Sequence, residues 1–282
     1  MKNLNQSKRE PFEFHKNVVN STSNRASDIL YKDRLLALHP NISILYDSFI
    51  KNNAANDLIS TLPYNYSGIE KEDLLGLYNF KRKLIQELLL EVTTIDGRII
   101  SRCQNCTINN INSFDHILPK EEFSEFSVNP LNLFPSCTEC NSYKGKYWKN
   151  NGKPYFLNLY LDILPNTQYL FVNLNFDNIT PKVEFFIKNI NEIDPIFFSI
   201  IETHYDRLHL CERFSASIDS VISPLVSMVK ASLEELEYSI IQKIVINSQF
   251  ENQLKHGFNY WEAILTLALI NHPDFLNYVK KS

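Results

Sequence analysis

Four of the five cysteines fall into two Cys-x-x-Cys pairs, Cys103/Cys106 and Cys137/Cys140. A Cys-x-x-Cys turn places two thiolates on one side of a tight loop, and two such pairs can surround one Zn²⁺ tetrahedrally. Four thiolates leave no open coordination position, so the spacing predicts a structural zinc that helps a small module to fold. The alternative is four unrelated buried cysteines. Cys211, the fifth, lies in a helical run and is interpreted as a small core residue.

A second set of polar residues lies between and just after the two cysteine pairs. Asp115 and His116 are adjacent, and Asn141 directly follows Cys140. An imidazole can take a proton from water and so produce the hydroxide that attacks a phosphodiester. A carboxylate and an amide oxygen are hard ligands for Mg²⁺ or Mn²⁺, and such a cation stabilises charge that develops on the phosphate. A helix predicted from Thr138 to Trp148 would carry Asn141 toward the strand that holds Asp115.

Lysines outnumber acidic residues four to one between residues 137 and 153. Lys144 and Lys146, one helical turn beyond Asn141, are predicted to bind phosphate groups of a substrate. The alternative is a solvated helix end whose lysines favour the C-terminal dipole. The whole chain has 28 basic and 32 acidic side chains and a net charge of −4. Global charge therefore does not indicate a nucleic-acid-binding protein, and such a surface has to be local.

These motifs resemble, in order and spacing, the HNH endonuclease family, the ββα-metal nucleases with a zinc-knuckle frame. The resemblance covers only residues 103 to 144. It implies that His116 is the general base and that Asp115 and Asn141 bind the catalytic divalent metal. It further implies that Asn132 orients His116 or braces the loop, and that the four paired cysteines hold structural zinc. The residues that carry the resemblance are Cys103/Cys106, Asp115-His116-Ile117-Leu118-Pro119, Asn132-Leu133, Cys137/Cys140-Asn141 and Lys144.

One stretch departs from the family pattern. Residues 120–128, KEEFSEFSV, are acidic and aromatic, where many relatives have a Gly-rich or small polar stretch. Three glutamates near the catalytic residues would repel phosphate unless their side chains point away.

A weaker resemblance lies further along the chain. The arrangement Leu208-x-Leu210-x-x-Arg213 is similar to the C-terminal segment of HNH nucleases in bacterial antiphage systems that act with an ATPase partner, as in Septu. It implies a role in defence and a protein partner. Neither GxGxxG nor GxxxxGK[ST] occurs, so the sequence gives no sign of a phosphate-binding loop of its own.

Hydrophobic periodicity predicts a mostly α protein with a small α+β insert. The family resemblance implies that this insert is a ββα-metal HNH module with a four-cysteine zinc knuckle between helical regions. Residues 1–24 are predicted to be a flexible arm, 25–92 a helical N-terminal region, in which Pro40 breaks the first run, and 93–153 the HNH nuclease module. Residues 154–282 are predicted to form a hairpin followed by a helical C-terminal domain. The hairpin strands are expected at Gln168–Phe176 and Lys182–Ile187, around a turn at 177–181.

The longest apolar run, AILTLALI at 263–270, is far shorter than the about 18 residues that a membrane helix needs. With a polar N-terminus and no disulfide pattern, the sequence predicts a cytoplasmic protein without a membrane partner. The predicted function is metal-dependent cleavage of nucleic acid, favouring DNA. Two alternatives stay open: a non-catalytic zinc module that binds nucleic acid or protein, and a nuclease subunit that is silent until an ATPase partner activates it.

Overall fold

The computed structural model describes residues 1–24, 27–176, 181–190 and 193–282. The chain forms two compact units, which are described separately. The N-terminal unit comprises Asn3–Asn105 and Asn109–Asp162, and the C-terminal unit comprises Met1–Lys2, Cys106–Ile108 and Ile163–Ser282. About half of the chain is helical, and the sheets are small, each a pair of antiparallel strands. The predicted turn at 177–180, and the start of the predicted helical region at 25–26, lie outside the described residues.

The N-terminal unit is a set of helices followed by short strands and one short helix. Its helical and strand bounds are α1 (Pro11–Asn20), α2 (Tyr31–Ala54), α3 (Gly68–Leu75), α4 (Lys83–Thr93), β1 (Thr94–Ile95), β2 (Arg98–Ile99), β3 (Ser113–His116), β4 (Leu133–Ser136), α5 (Thr138–Lys144), β5 (Lys149–Asn150) and β6 (Lys153–Pro154). The helical region and, apart from residues 106–108, the small module predicted from the sequence lie in the same unit. A boundary between them near residue 92 stays a prediction.

The first 24 residues differ from the flexible arm that their composition predicted. Helix α1 begins at Pro11, after Glu10, whose carboxylate accepts the N–H groups of the first turn. Phe14, Val18 and Val19 of α1 are fully or almost fully buried. Their spacing puts them on one helical face that packs on α2, but the many Asn, Lys and Glu residues around them hide this stripe in an averaged composition.

Helix α2 continues through Pro40, where the sequence predicted a break. A proline inside a helix costs about 3 kcal/mol because one backbone hydrogen bond is lost. Burial of Leu35, Ile42, Tyr46 and Phe49 along α2 offsets that cost, since each of these side chains is fully buried.

The strands β3 and β4 pair antiparallel, with His116 opposite Leu133 and Ser113 opposite Ser136, and α5 follows directly. This strand–strand–helix order agrees with the ββα order implied by the family resemblance. Helix α5 is shorter than predicted: it ends at Lys144 because Gly145 takes a φ of 53°, a left-handed conformation that suits glycine. Trp148 therefore lies outside the helix.

The C-terminal unit contains one strand pair and six helices among its described residues: β7 (Leu170–Asn175), β8 (Lys182–Ile187), α6 (Pro195–Arg207), α7 (Leu210–Ala216), α8 (Asp219–Ser232), α9 (Tyr238–His256), α10 (Trp261–Asn271) and α11 (Phe275–Lys281). Both strands lie within the segments predicted for them. The fully buried side chains of α10 include Leu265 and Leu269, and this helix packs on α9 and β7. Among the residues that the structure describes, no helix combines the length and apolar character needed to cross a bilayer.

Candidate functional site

The four paired cysteines form one buried cluster. The sulfur atoms of Cys103, Cys106, Cys137 and Cys140 all lie within 4.8 Å of one another. A tetrahedral zinc with Zn–S bonds of about 2.3 Å separates its sulfurs by about 3.8 Å, which is close to this spacing. The donor set therefore fits a structural zinc ion, as the Cys-x-x-Cys spacing predicted.

Backbone amides point at two of these sulfurs. The Cys140 N–H donates to Cys137 Sγ at 3.4 Å, and the Ile108 N–H donates to Cys106 Sγ at 3.5 Å. Such N–H···S bonds stabilise the thiolate form that zinc requires. Cys137 is also the N-cap of α5, so the same sulfur that can bind zinc fixes the start of the helix.

Residues of β3 and α5 line one side of a cleft of about 460 Å³. Three of the residues predicted to be catalytic, Asp115, His116 and Asn141, line this cleft. The remaining lining residues are aromatic, small or charged: Tyr78, Phe80, Ser113, Phe114, Pro119, Lys120, Glu121, Gly145 and Lys146. The structure thus brings together an imidazole, a carboxylate and a carboxamide from two separate elements.

His116 is held by one defined hydrogen bond. Its Nε2 lies 2.8 Å from the backbone carbonyl oxygen of Ser127. A carbonyl only accepts, so Nε2 carries the proton in the neutral ring and Nδ1 keeps the lone pair. Burial lowers the pKa of His116 to about 3, so the imidazole is neutral at pH 7. The unprotonated Nδ1 is the ring atom that can accept a proton.

Asp115 and Lys144 form a buried ion pair. Lys144 Nζ lies 3.0 Å from Asp115 Oδ1 and also donates to the His116 backbone carbonyl. Both side chains are less than a tenth exposed. Burial raises the pKa of the Asp115 carboxyl, and the adjacent ammonium opposes that rise. Two of the three N–H donors of the Lys144 ammonium are used by Asp115 and by the strand, so this side chain positions the carboxylate. Its predicted contact with phosphate stays a prediction.

Asn141 reaches the cleft from the first turn of α5 and is half-buried. Its Nδ2 donates to the Phe114 carbonyl at 3.3 Å. This bond fixes the orientation of the amide, whose oxygen Oδ1 is the atom suited to a cation. Asp115 and Asn141 thus offer two oxygens of the kind that Mg²⁺ or Mn²⁺ binds, together with water and substrate phosphate. The residues that line the cleft therefore fit the predicted divalent metal.

Asn132 makes no side-chain hydrogen bond to His116 among the described residues and does not line the cleft. Its side chain is fully buried: Oδ1 accepts the Leu118 N–H at 2.8 Å, and Nδ2 donates to the carbonyls of Leu118 and Phe126. Each of these bonds is to backbone of the loop between β3 and β4, and the place of Asn132 among the catalytic residues stays a prediction. Of the two roles that the resemblance implied, the geometry supports bracing the loop.

The lysines after α5 divide between two environments. Lys146 is exposed and lines the cleft, and its contact with substrate stays a prediction. Lys149 is half-buried, with its Nζ 4.2 Å from the centroid of the Trp148 ring and 3.3 Å from the Ile59 carbonyl. Lys120, on the other side of the cleft, was not predicted as a contact. Its ammonium lies 5.3 Å from the centroid of the Tyr78 ring.

Two of the three glutamates in the loop at 120–128 are engaged elsewhere. Glu125 is fully buried and accepts the Tyr64 N–H at 2.9 Å, and burial raises the pKa of its carboxyl. Glu122 accepts from Trp148 Nε1 at 3.0 Å. Only Glu121 of these three lines the cleft. Of the three carboxylates expected to repel phosphate, only that of Glu121 lies at the cleft itself.

Tyr78 is a cleft residue that sequence reasoning missed. Its ring meets the His116 ring edge-on, with centroids 4.8 Å apart and an interplanar angle of 74°. Its hydroxyl accepts the Phe114 N–H at 3.1 Å and donates to the Phe114 carbonyl at 3.3 Å. No motif surrounds Tyr78, which lies 38 positions before His116, so no sequence signal pointed to it.

Comparison with known proteins finds two distant relatives. The chain is 27% identical over 205 residues to "Protein ea31" of Escherichia phage lambda, and the match covers 65% of this chain and 67% of that protein. It is 25% identical over 167 residues to "Septu protein PtuB" of Bacillus thuringiensis, and this match covers 51% of this chain and 64% of that protein. The chain thus spans about two thirds of the length of these relatives. No family model matches, and no solved structure matches. The similarity to PtuB supports the Septu-like link, while membership of the HNH family stays a prediction from the motifs.

Proposed function

We propose that the chain is a metal-dependent HNH endonuclease that hydrolyses phosphodiester bonds in DNA. The observation that carries this proposal is the cleft in which Asp115, His116 and Asn141 converge. The neutral imidazole of His116, with its proton on Nε2, supplies the base, and the other two side chains supply the oxygens for a cation. Lys120 and Lys146 at the same cleft supply positive charge for the substrate backbone.

The proposed reaction is the attack of water on phosphorus. His116 Nδ1 accepts a proton from the water as its oxygen forms the new bond to phosphorus. The bond from phosphorus to the leaving oxygen breaks, and that oxygen keeps the electron pair and takes a proton from solvent. A divalent cation held by Asp115 and Asn141 would neutralise the negative charge that develops on the phosphate and the leaving oxygen. The Lys144 ammonium keeps the Asp115 carboxylate in place.

The test is cleavage of plasmid, linear duplex and single-stranded DNA, and of RNA, by the full chain with Mg²⁺ or Mn²⁺. His116→Ala is the test variant, and His209→Asn is its control. His209 is exposed on the C-terminal unit, and asparagine suits its left-handed φ of 51°. We expect at least a 100-fold loss of cleavage in His116→Ala, since general bases contribute about 10²–10⁴-fold, and no loss in the control.

The main alternative is a zinc module that binds without cutting. In that case His116→Ala and the wild-type chain bind nucleic acid equally, neither cleaves it, and both contain one zinc. Cleavage that persists in His116→Ala at the wild-type rate contradicts the proposed mechanism. Cleavage of RNA alone would replace DNA as the proposed substrate while keeping the mechanism.

We also propose that the nuclease acts in antiphage defence with a protein partner, an ATPase if the Septu-like link extends to it. The similarity to PtuB supports the defence role. A partner surface is supported by α9, whose side chains Ile240, Ile244, Phe250 and Leu254 are each 45–67% exposed. Cells that carry the chain with its native flanking genes should resist phage infection and lose resistance with His116→Ala. Resistance that is equal in both strains would contradict a nuclease-based defence.

A further inference from the structure

Tyr78 lies outside the strand–strand–helix unit, in the connection between α3 and α4, and yet it touches two parts of the cleft. Its hydroxyl makes a pair of hydrogen bonds with the backbone of one residue, Phe114. Phe114 lies opposite Pro135 in the antiparallel pair, at a position where the backbone N–H and carbonyl point away from the partner strand. On the side of β3 away from β4, the Tyr78 hydroxyl bonds both backbone groups of Phe114, as a neighbouring strand would. These bonds fix the backbone of β3 one residue before Asp115.

The same Phe114 carbonyl also receives the side chain of Asn141. Tyr78 Oη and Asn141 Nδ2 each lie 3.3 Å from this oxygen. One carbonyl therefore links three features: the strand that carries Asp115, the amide on α5 and the Tyr78 hydroxyl. Without the hydroxyl, Asn141 would be the lone side-chain donor to that carbonyl among the described residues. Strand β3 would then be freer to shift.

The Tyr78 ring acts on His116 directly. The Ser127 carbonyl fixes the Nε2 end of the imidazole, but a single hydrogen bond still allows the ring to rock about it. The edge-on contact with Tyr78, with centroids 4.8 Å apart, blocks that movement from one side. Together the two contacts fix the direction of the Nδ1 lone pair.

The C-terminal end of α3, which leads into Tyr78, is anchored to α2 and to the loop at 124–127. Ser127 Oγ donates to the Leu74 carbonyl at 2.6 Å, and Leu77 is fully buried. Asp73 is paired with Arg34, and its carbonyl accepts from Tyr31 Oη. The segment that presents Tyr78 is therefore a rigid support.

We infer that Tyr78 is a positioning residue of the active site, whose ring orients the His116 imidazole and whose hydroxyl fixes the backbone between Asp115 and Asn141. This inference rests on the proposed nuclease function. A misplacement of about 1 Å can cost about 100-fold in rate while substrate binding is retained. The effect is therefore expected in kcat and not in KM.

The experiment compares Tyr78→Phe, which keeps the ring, with Tyr78→Leu, which removes it. Tyr147→Phe and Tyr147→Leu are matched controls, since Tyr147 is 53% exposed and does not line the cleft. With the full chain, Mg²⁺ and a DNA substrate, we expect kcat to fall about 10-fold in Tyr78→Phe and about 100-fold in Tyr78→Leu. KM is expected to change less than twofold in each, and the controls should match wild type.

A second readout does not need activity. In protein labelled at histidine, the ring-proton resonance of His116 is identified by its loss in His116→Ala. Because the ring current of an aromatic side chain at position 78 affects it, this resonance should shift in Tyr78→Leu and stay near its wild-type position in Tyr78→Phe.

An unshifted resonance in Tyr78→Leu, or a kcat within twofold of wild type in folded Tyr78→Leu, overturns the inference. If wild type cleaves no nucleic acid, the proposed function fails and the resonance alone decides the role of Tyr78. If Tyr78→Leu does not fold, the kcat of Tyr78→Phe decides it.

Discussion

At the scale of single residues, the Lys144–Asp115 pair shows how one buried charge depends on another. Both side chains are less than a tenth exposed, so neither charge is solvated well by water. Removal of one partner from such a pair leaves the other buried and uncompensated, which costs more than the pair itself contributes. Lys144 is therefore expected to matter for stability as well as for the geometry of Asp115.

We predict that Lys144→Met lowers the free energy of unfolding by about 3 kcal/mol at pH 7, because the Asp115 carboxylate loses its counter-charge. The measurement is urea-induced unfolding in the absence of added Mg²⁺. The double variant Lys144→Met/Asp115→Asn should recover part of that loss, since it buries no unpaired charge. Additive losses from the two single changes would show that the pair is not coupled.

At the scale of elements, the cysteine cluster determines where α5 lies. The helix has seven residues, too few to be stable alone in water. Its N-cap Cys137 and its residue Cys140 both belong to the sulfur cluster. Further along α5, Asn141 lines the cleft and Lys144 pairs with Asp115. A zinc ion in the cluster would therefore hold the face of α5 that carries Asn141 and Lys144 against β3.

We predict that Cys137→Ser abolishes zinc binding and with it cleavage, even when Mg²⁺ is in excess. Zinc per chain is measured by atomic spectrometry beside the cleavage rate and the melting temperature. The matched control is Cys211→Ser, which changes a cysteine outside the cluster and should keep one zinc and full activity. Full cleavage by a zinc-free Cys137→Ser chain would contradict the structural role of the cluster.

The packing of α1 on α2 contains a buried histidine that makes the fold sensitive to acid. His15 is fully buried, its Nδ1 is 3.4 Å from Tyr46 Oη, and burial together with His39 lowers its pKa to about 3. In the unfolded chain a histidine titrates near its ordinary pKa of about 6.5. Between these values the unfolded state binds more protons, so the stability present above pH 6.5 is lost as the pH falls toward 3.

We predict that His15→Phe reduces this pH dependence by up to about 1.4 kcal/mol per pH unit between pH 4 and 6. The measurement is the free energy of unfolding in urea at several pH values. His209→Asn, at an exposed histidine, is the control and should keep the wild-type slope. An unchanged slope in His15→Phe would mean that other groups, His116 among them, dominate acid unfolding.

Among the elements, some features of the site could be predicted from the sequence and others could not. The Cys-x-x-Cys spacing is a local signal, and the structure gathers the four cysteines as expected. The Asp115-His116 pair is a second local signal, and both of its residues line the cleft. The burial of Lys144 was not predictable, because lysine is exposed by default and its partner is 29 positions away. The role of Tyr78 was not predictable either, because its contacts with the cleft depend on how α3 packs, and no short sequence pattern encodes that packing.

At the scale of the whole molecule, charge is the property that bears on substrate binding. A net charge of −4 repels DNA at long range, so attraction has to come from a few lysines at the cleft. Lys120 and Lys146 line that cleft, with Glu121 opposing them. So few positive groups can release only a few counterions from DNA, and binding should depend on salt much less than in a strongly basic protein. Weak capture of DNA by the chain itself is also consistent with recruitment through a protein partner.

We predict that Lys146→Gln weakens DNA binding and lowers the slope of log K against log salt by about 0.9, the contribution of one phosphate contact on duplex DNA. Binding of a short duplex to His116→Ala protein, which should not cut, is measured between 50 and about 200 mM salt. Lys230→Gln, an exposed lysine of α8 in the C-terminal unit, is the control and should leave the slope unchanged. Equal slopes for Lys146→Gln and the control would place the DNA backbone away from the cleft. That result would separate the DNA-binding surface from the catalytic residues and would favour a partner protein as the source of the main contact with DNA.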